Sequence, residues 1–162
     1  MVDKPRLDPE RHAAFQIVAL ANRISSSASR AYLRCFGVGV MEWRVLALMG
    51  LKPGITAGEI SQASGVDKSP VSRAVQALVE QGHVRTQEDA RDNRRALLFL
   101  TGSGEALHDR IILASLAREA RLLDGLAEDQ RRTLFELLAR LTGNMPLVEA
   151  HDPAAEGPAM DP

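Results

Sequence analysis

Thr56-Ala57-Gly58-Glu59-Ile60-Ser61-Gln62-Ala63-Ser64-Gly65-Val66-Asp67-Lys68-Ser69-Pro70-Val71-Ser72-Arg73 is the stretch that decides how this chain folds. Thr56 and Glu59 are spaced as a capping box, and Ile55 and Ile60 stand where a hydrophobic staple needs them, so a helix starts here. It is short, because Gly65 can stop it by taking up a left-handed conformation. After a minimal turn, Asp67 is placed to cap a second helix. Val66 and Val71 form another staple, and Pro70 is tolerated because first-turn amides have no intrahelical partner. Val71, Ala74, Val75, Leu78 and Val79 follow at the spacings of one helical face, and Gly82 ends the run. Two helices joined this tightly, the second with a full apolar face, read as a helix-turn-helix.

Residues 84–87 and 96–100 are rich in strand formers, and the polar residues 88–95 between them predict a hairpin with a charged tip. Upstream, Phe15, Ile17, Val18, Ala21, Ile24, Ala28, Ala31 and Cys35 recur at three- and four-residue spacing and predict a long helix over 8–35. Gly37 and Gly39 break it. A second helix over 40–50 is apolar nearly all round and is therefore expected to be buried. Downstream, long helices are expected over 104–123 and 128–141, separated by Gly125. The prolines and acids after them predict a disordered acidic tail over 144–162. The expected fold class is mainly α with a small β-hairpin wing.

The composition of the 162 residues narrows the function classes. Hydrophobic residues at 45% and charged residues at 25% are ordinary for a soluble chain, while 4% aromatics argue against stacking platforms for sugars or single strands. The lone Cys35 excludes an intrachain disulfide and a thiolate zinc cluster. With no export signal or spanning run, the cytoplasm is the expected compartment and no membrane partner is expected. The net charge of -1 conceals an uneven distribution, since four acids and no bases lie beyond Met145. Without that segment, 20 basic residues stand against 17 acidic ones.

Opposite the buried face of the helix after Asp67 runs a stripe of Ser69, Ser72, Arg73, Gln76 and Glu80, with Lys68 beside it. Small donors and a guanidinium on the first turns suit phosphates and base edges of a DNA major groove. Taken alone, this is also what any solvated helix face displays. The hairpin tip adds Arg91, Arg94 and Arg95. An arginine on a narrow loop can enter a minor groove, and Asp92 is placed to hold one in register through a charged hydrogen bond. A charged tip also serves simply to protect the hairpin from edge pairing. Both elements in succession point to double-stranded DNA.

The sequence resembles the MarR family of winged-helix transcriptional regulators. The resemblance rests on Glu42-Trp43-Arg44-Val45-Leu46, Asp67-Lys68-Ser69-Pro70-Val71-Ser72-Arg73, Leu78-Val79-Glu80-Gln81-Gly82-His83-Val84, Asp89-Ala90-Arg91-Asp92-Asn93-Arg94-Arg95 and Leu100-Thr101-Gly102-Ser103-Gly104. It implies a homodimer. Residues 1–36 supply an N-terminal dimerisation helix, 37–100 a winged helix-turn-helix that binds DNA, and 101–143 the C-terminal dimerisation helices. It also implies Lys68, Ser69, Ser72, Arg73 and Gln76 at the major groove or its phosphates, and Arg94 in the minor groove with Asp92 as its organiser. Pro70 departs from the Thr or Ser common at its place, and Ala127 stands where the last helix often has a capping hydroxyl.

Relatives of this kind commonly leave DNA when a small, often aromatic, effector binds or a cysteine is oxidised. The resemblance places a ligand pocket where dimer helices meet the winged helix, near His12, Phe15, Met41, Trp43 and Arg44. Phe15, Met41 and Trp43 read more readily as core, His12 as an exposed residue near the chain start, and Arg44 as the partner of Glu42 or another acid. Cys35 lies near Arg30 and Arg34, a setting that favours thiolate, yet it also falls in the apolar series of the first helix. No phosphate loop, His-Glu-x-x-His or GxSxG is present and the four histidines are scattered, so no enzyme activity and no cofactor are expected. The expected function is a repressor that binds a palindromic operator as a homodimer and is released by a small organic ligand. The alternatives are a redox-responsive regulator acting through Cys35 and a winged helix that docks protein.

Overall fold

The computed structural model describes residues 6–90 and 92–152, the side chains of residues 93 and 94 excepted. The element order is α1 (Ala13–Phe36), α2 (Val40–Leu51), α3 (Ala57–Ser64), α4 (Lys68–Glu80), β1 (Val84–Asp89), β2 (Asp92–Leu100), α5 (Gly102–Leu122), α6 (Glu128–Gly143) and α7 (Met145–Glu149). This is the expected class, helices with one antiparallel hairpin. The chain divides into two compact units between Leu116 and Ala117, within α5.

In the first unit, α1 begins at Ala13 rather than near residue 8. Asp8 folds the preceding segment into a turn by accepting from the Glu10 and Arg11 amides, and His12 Nδ1 then accepts from the Phe15 amide at 3.2 Å as the cap. Helix α2 contributes the middle of the core through Trp43, Val45, Leu46 and Met49. Around it pack Ile60 of α3, Val71, Ala74 and Leu78 of α4, Leu98 of β2, and Leu107 and Ile111 of α5. Each belongs to an apolar series at the period of its own element, which is why one cluster can collect them.

The helix-turn-helix forms as its end signals dictate. Thr56 Oγ1 accepts from the Glu59 amide at 3.2 Å, and Glu59 Oε2 accepts from the Thr56 amide at 2.8 Å. Gly65 and Gly82 end α3 and the segment after α4 at φ +63° and +75°, conformations that cost a Cβ-bearing residue strain. One expected cap does not form: Asp67 occupies the N-cap of α4, but its side chain accepts no hydrogen bond from the helix. Pro70 has removed one of the first-turn donors such a cap would serve.

The hairpin is longer than its apolar residues suggested. The ladder runs from Val84↔Leu100 to Glu88↔Ala96 and, after an irregularity between Glu88 and Asp89, closes at Asp89↔Asp92. Backbone pairing carries it through side chains that are exposed and polar, so hydropathy understates its length. Ile55 adds a third backbone at the inner end: Leu98 donates to the Ile55 carbonyl at 3.1 Å, and Gly54 donates to the Leu98 carbonyl at 2.9 Å. At the hairpin base, Thr101 Oγ1 and Ser103 Oγ donate to the Gly82 carbonyl at 2.7 and 3.0 Å.

In the second unit, Ala127 caps α6 without a hydroxyl, and Gln130 Oε1 supplies the reciprocal half of the box by accepting from the Ala127 amide at 2.8 Å. Expected disorder from residue 144 is corrected by α7, a short helix with Pro146 in its first turn, where a missing N–H leaves no gap. Residues 153–162 of the expected tail lie outside the described residues.

Candidate nucleic-acid interface

The buried face of α4 fixes which side chains look outward. With Val71, Ala74 and Leu78 inside, Lys68, Ser69, Ser72, Arg73, Gln76 and Glu80 are all exposed. Two of them are oriented along the helix by partners one turn away. Arg73 Nη1 donates to Ser69 Oγ at 3.2 Å, and Gln76 Nε2 donates to Glu80 Oε1 at 2.9 Å. The guanidinium is thereby drawn toward the start of the helix, where backbone amides also favour anions.

On the hairpin, Asp92 and Arg95 are exposed. Arg91, and the side chain of Arg94 with any pairing to Asp92, lie outside the described residues. Arg95 is not a free cation, since its Nη2 lies 3.8 Å from Glu59 Oε2. Glu59 in turn holds Lys52 Nζ at 2.7 Å on its other oxygen. The Lys52 ammonium, with the amide and hydroxyl of Thr56, holds the Glu59 carboxyl down at about 2. Sequence reasoning gave Glu59 only its capping role. A carboxylate has a second oxygen to offer, but nothing local indicated that Lys52 and Arg95 would fold onto it. Arg85 was also missed; its guanidinium covers the Phe99 ring at 4.5 Å, and the strand register that pairs Arg85 with Phe99 is the signal that finds it.

The residues expected around a ligand stand at the start of α1 and on α2. His12 caps α1, Phe15 is exposed, Met41 is half-buried, and Trp43 is in the core between Tyr32 and His108, with ring centroids 6.2 and 5.7 Å away. Arg44 donates to Ser25 Oγ at 3.0 Å. A cavity of about 430 Å³ opens between Met49 and Pro53, Arg85 and Phe99 at the hairpin root, and Glu105, His108 and Asp109 of α5, with none of the five expected residues in its lining. Cys35 is exposed on α1.

Residues 36–95 match the model of the MarR family. A solved MarR/EmrR family transcriptional regulator from Acinetobacter sp. ADP1 superposes with a TM-score of 0.82 at 31% identity, over 87% of this chain and 99% of that one. The chain belongs to the MarR family of transcriptional regulators. Among curated relatives, the HTH-type transcriptional regulator BilQ of Clostridium symbiosum is 29% identical over 93 residues, a match spanning 57% of this chain and 65% of BilQ. The MarR fold is shared at 18% identity by S. aureus MepR, solved as a DNA complex, with a TM-score of 0.74 over 85% of this chain and 99% of that one. Among the described residues, no helix of this MarR family member is long and apolar enough to cross a membrane.

Proposed function

We propose that this MarR family protein is a cytoplasmic transcriptional repressor that binds a palindromic DNA operator as a homodimer and is released by a small organic ligand. The observation that carries the reading is the exposed stripe of α4, with Arg73 and Gln76 oriented by Ser69 and Glu80 along the helix that follows the turn. In this reading Lys68, Ser69, Ser72, Arg73 and Gln76 meet the major groove and its phosphates, and Arg91 and Arg94, with Asp92 as organiser, meet the minor groove. The MepR complex with DNA supports the use of this fold on a duplex. The apolar residues left exposed along α1 and α6 support a second copy. The cavity at the hairpin root supports a small-molecule effector, because a ligand there would touch the wing, the end of α2 and α5 together.

Fluorescence anisotropy tests the reading, with DNA from upstream of the protein's own gene against a scrambled duplex over a salt series. The expected result is sequence-preferring binding with a steep salt slope, weakened by Arg94→Ala. Equal, weak binding to both duplexes overturns the own-promoter reading and turns attention to a protein partner.

A further inference from the structure

We infer that Arg95 is a positioning residue, latched to Glu59 of α3 so that the outer hairpin is held at a fixed angle to α4, and not a phosphate contact. The hairpin is secured at its inner end, where Leu98 is buried and pairs with Ile55 through backbone hydrogen bonds. Further out, Thr86, Gln87, Glu88, Arg95 and Ala96 are all exposed, and an isolated two-stranded ribbon has little stability of its own. Arg95 reaches back from this exposed portion to α3, three residues beyond the Leu98 anchor.

What it meets is a carboxylate that three other donor groups already hold. Glu59 Oε1 receives Lys52 Nζ at 2.7 Å, and Oε2 receives the Thr56 amide and hydroxyl at 2.8 Å each. An anchor fixed by three donors loses little further freedom when Arg95 approaches, so the contact positions the hairpin at small entropic cost. The same carboxylate makes Arg95 a poor phosphate ligand, because part of its charge is already answered. Lys52, Glu59 and Arg95 thus link the end of α2, the start of α3 and the wing through one acid.

The two roles of Arg95 predict opposite signs for one substitution. Glu59→Gln keeps a side chain that can serve the capping box but removes the negative charge. If Arg95 contacted phosphate, that change would strengthen DNA binding by freeing the arginine and removing a repulsive charge. If Arg95 is a latch, it weakens binding.

The experiment has two arms, and only the second rests on the DNA-binding reading above. In the free protein, hydrogen exchange of the hairpin amides is compared for wild type, Glu59→Gln, Arg95→Ala and the double variant. The latch predicts exchange faster by about two- to fivefold in each single variant, the range expected for a partly exposed ion pair, with no further gain in the double and α3 amides less affected than the hairpin's in Glu59→Gln. Unchanged hairpin exchange overturns the latch whatever DNA does. On own-promoter DNA, the latch predicts a similar loss of affinity in both single variants at constant salt slope. A slope reduced by about 0.9 in Arg95→Ala, with tighter binding by Glu59→Gln, identifies a phosphate contact and overturns it. Failure of the wild type to bind that DNA sinks the operator reading and leaves the exchange arm to decide the latch.

Discussion

The backbone carbonyl of His83 fills the space that a Cβ on Gly104 would need. That carbonyl cannot retreat freely, because it accepts the Thr101 amide at 3.0 Å where the hairpin closes onto α5. Alanine in a helix is ordinarily better than glycine by about 1 kcal/mol. Here the clash with backbone opposes that gain at a typical overpacking cost of about 1–3 kcal/mol. Gly104→Ala is therefore expected to destabilise the protein by up to about 2 kcal/mol in urea unfolding, and a stabilised variant would show that the hairpin base can shift.

Glu59 gives the protein a signature in acid. Its carboxyl is held at about 2, below the ordinary 4.5, first by Lys52 and then by Thr56. A group with a lowered folded-state value contributes stability that is complete above 4.5 and is lost as the pH falls toward 2. Melting temperatures measured from pH 5 down to about 2 are expected to fall more steeply for the wild type than for Glu59→Gln, which has no proton to take up. Parallel curves would mean that the Lys52 pair does not persist in solution.

Much of this was legible in the sequence where the signal is local. The Thr56 and Glu59 box, the stops at Gly65 and Gly82 and the inward face of Val71, Ala74 and Leu78 depend on neighbours within one or two turns. Signals failed where the partner is remote or the backbone decides. Asp67 stands at a cap position but does not cap, the ladder continues through charged residues on backbone bonds, and Val79 stays partly exposed despite its place in the apolar series. The cavity was invisible because Met49, Arg85, Phe99 and His108 share no motif; folding alone brings them together. Arg44 looked like one half of an ion pair, and its described partner is the hydroxyl of Ser25, from a serine-rich run that reads as ordinary helix surface.

Gly50 makes room for His108. A Cβ there would come within 2.6 Å of His108 Nε2 and 2.9 Å of Cδ2, so the histidine ring lies directly over the α2 backbone. The obstacle is a side chain rather than backbone, and it can swing away at modest cost. Gly50→Ala is expected to leave the melting temperature nearly unchanged, helix propensity offsetting the lost contact. It is expected to alter the emission of Trp43, the sole tryptophan, whose ring centroid lies 5.7 Å from that of His108. Unchanged emission would show that His108 accommodates the methyl without leaving Trp43.

Helix α6 carries Leu137, Leu138 and Leu141 toward solvent, each more than two-fifths exposed. Their spacing places them on one face, so they form a stripe and not scattered apolar residues. A stripe of this kind exposed on a lone chain favours association, at roughly 25 cal/mol for each Å² of apolar surface removed from water. Because none of these leucines is buried in the chain, a charge placed there costs the single chain less than one in the core would. If the chain forms the proposed homodimer through this stripe, Leu138→Glu with Leu141→Glu is expected to halve the mass seen in sedimentation while leaving the circular dichroism of the monomer intact. A second measurement separates loss of association from damage to the fold. The proposed homodimer predicts a wild-type melting temperature that rises with protein concentration, and the double variant should melt at one temperature across the same range. If the variant sediments as the wild type does, α6 is not the seam of the proposed dimer, and the exposed residues Ile17, Leu20 and Ile24 of α1 are next to be tested in the same way.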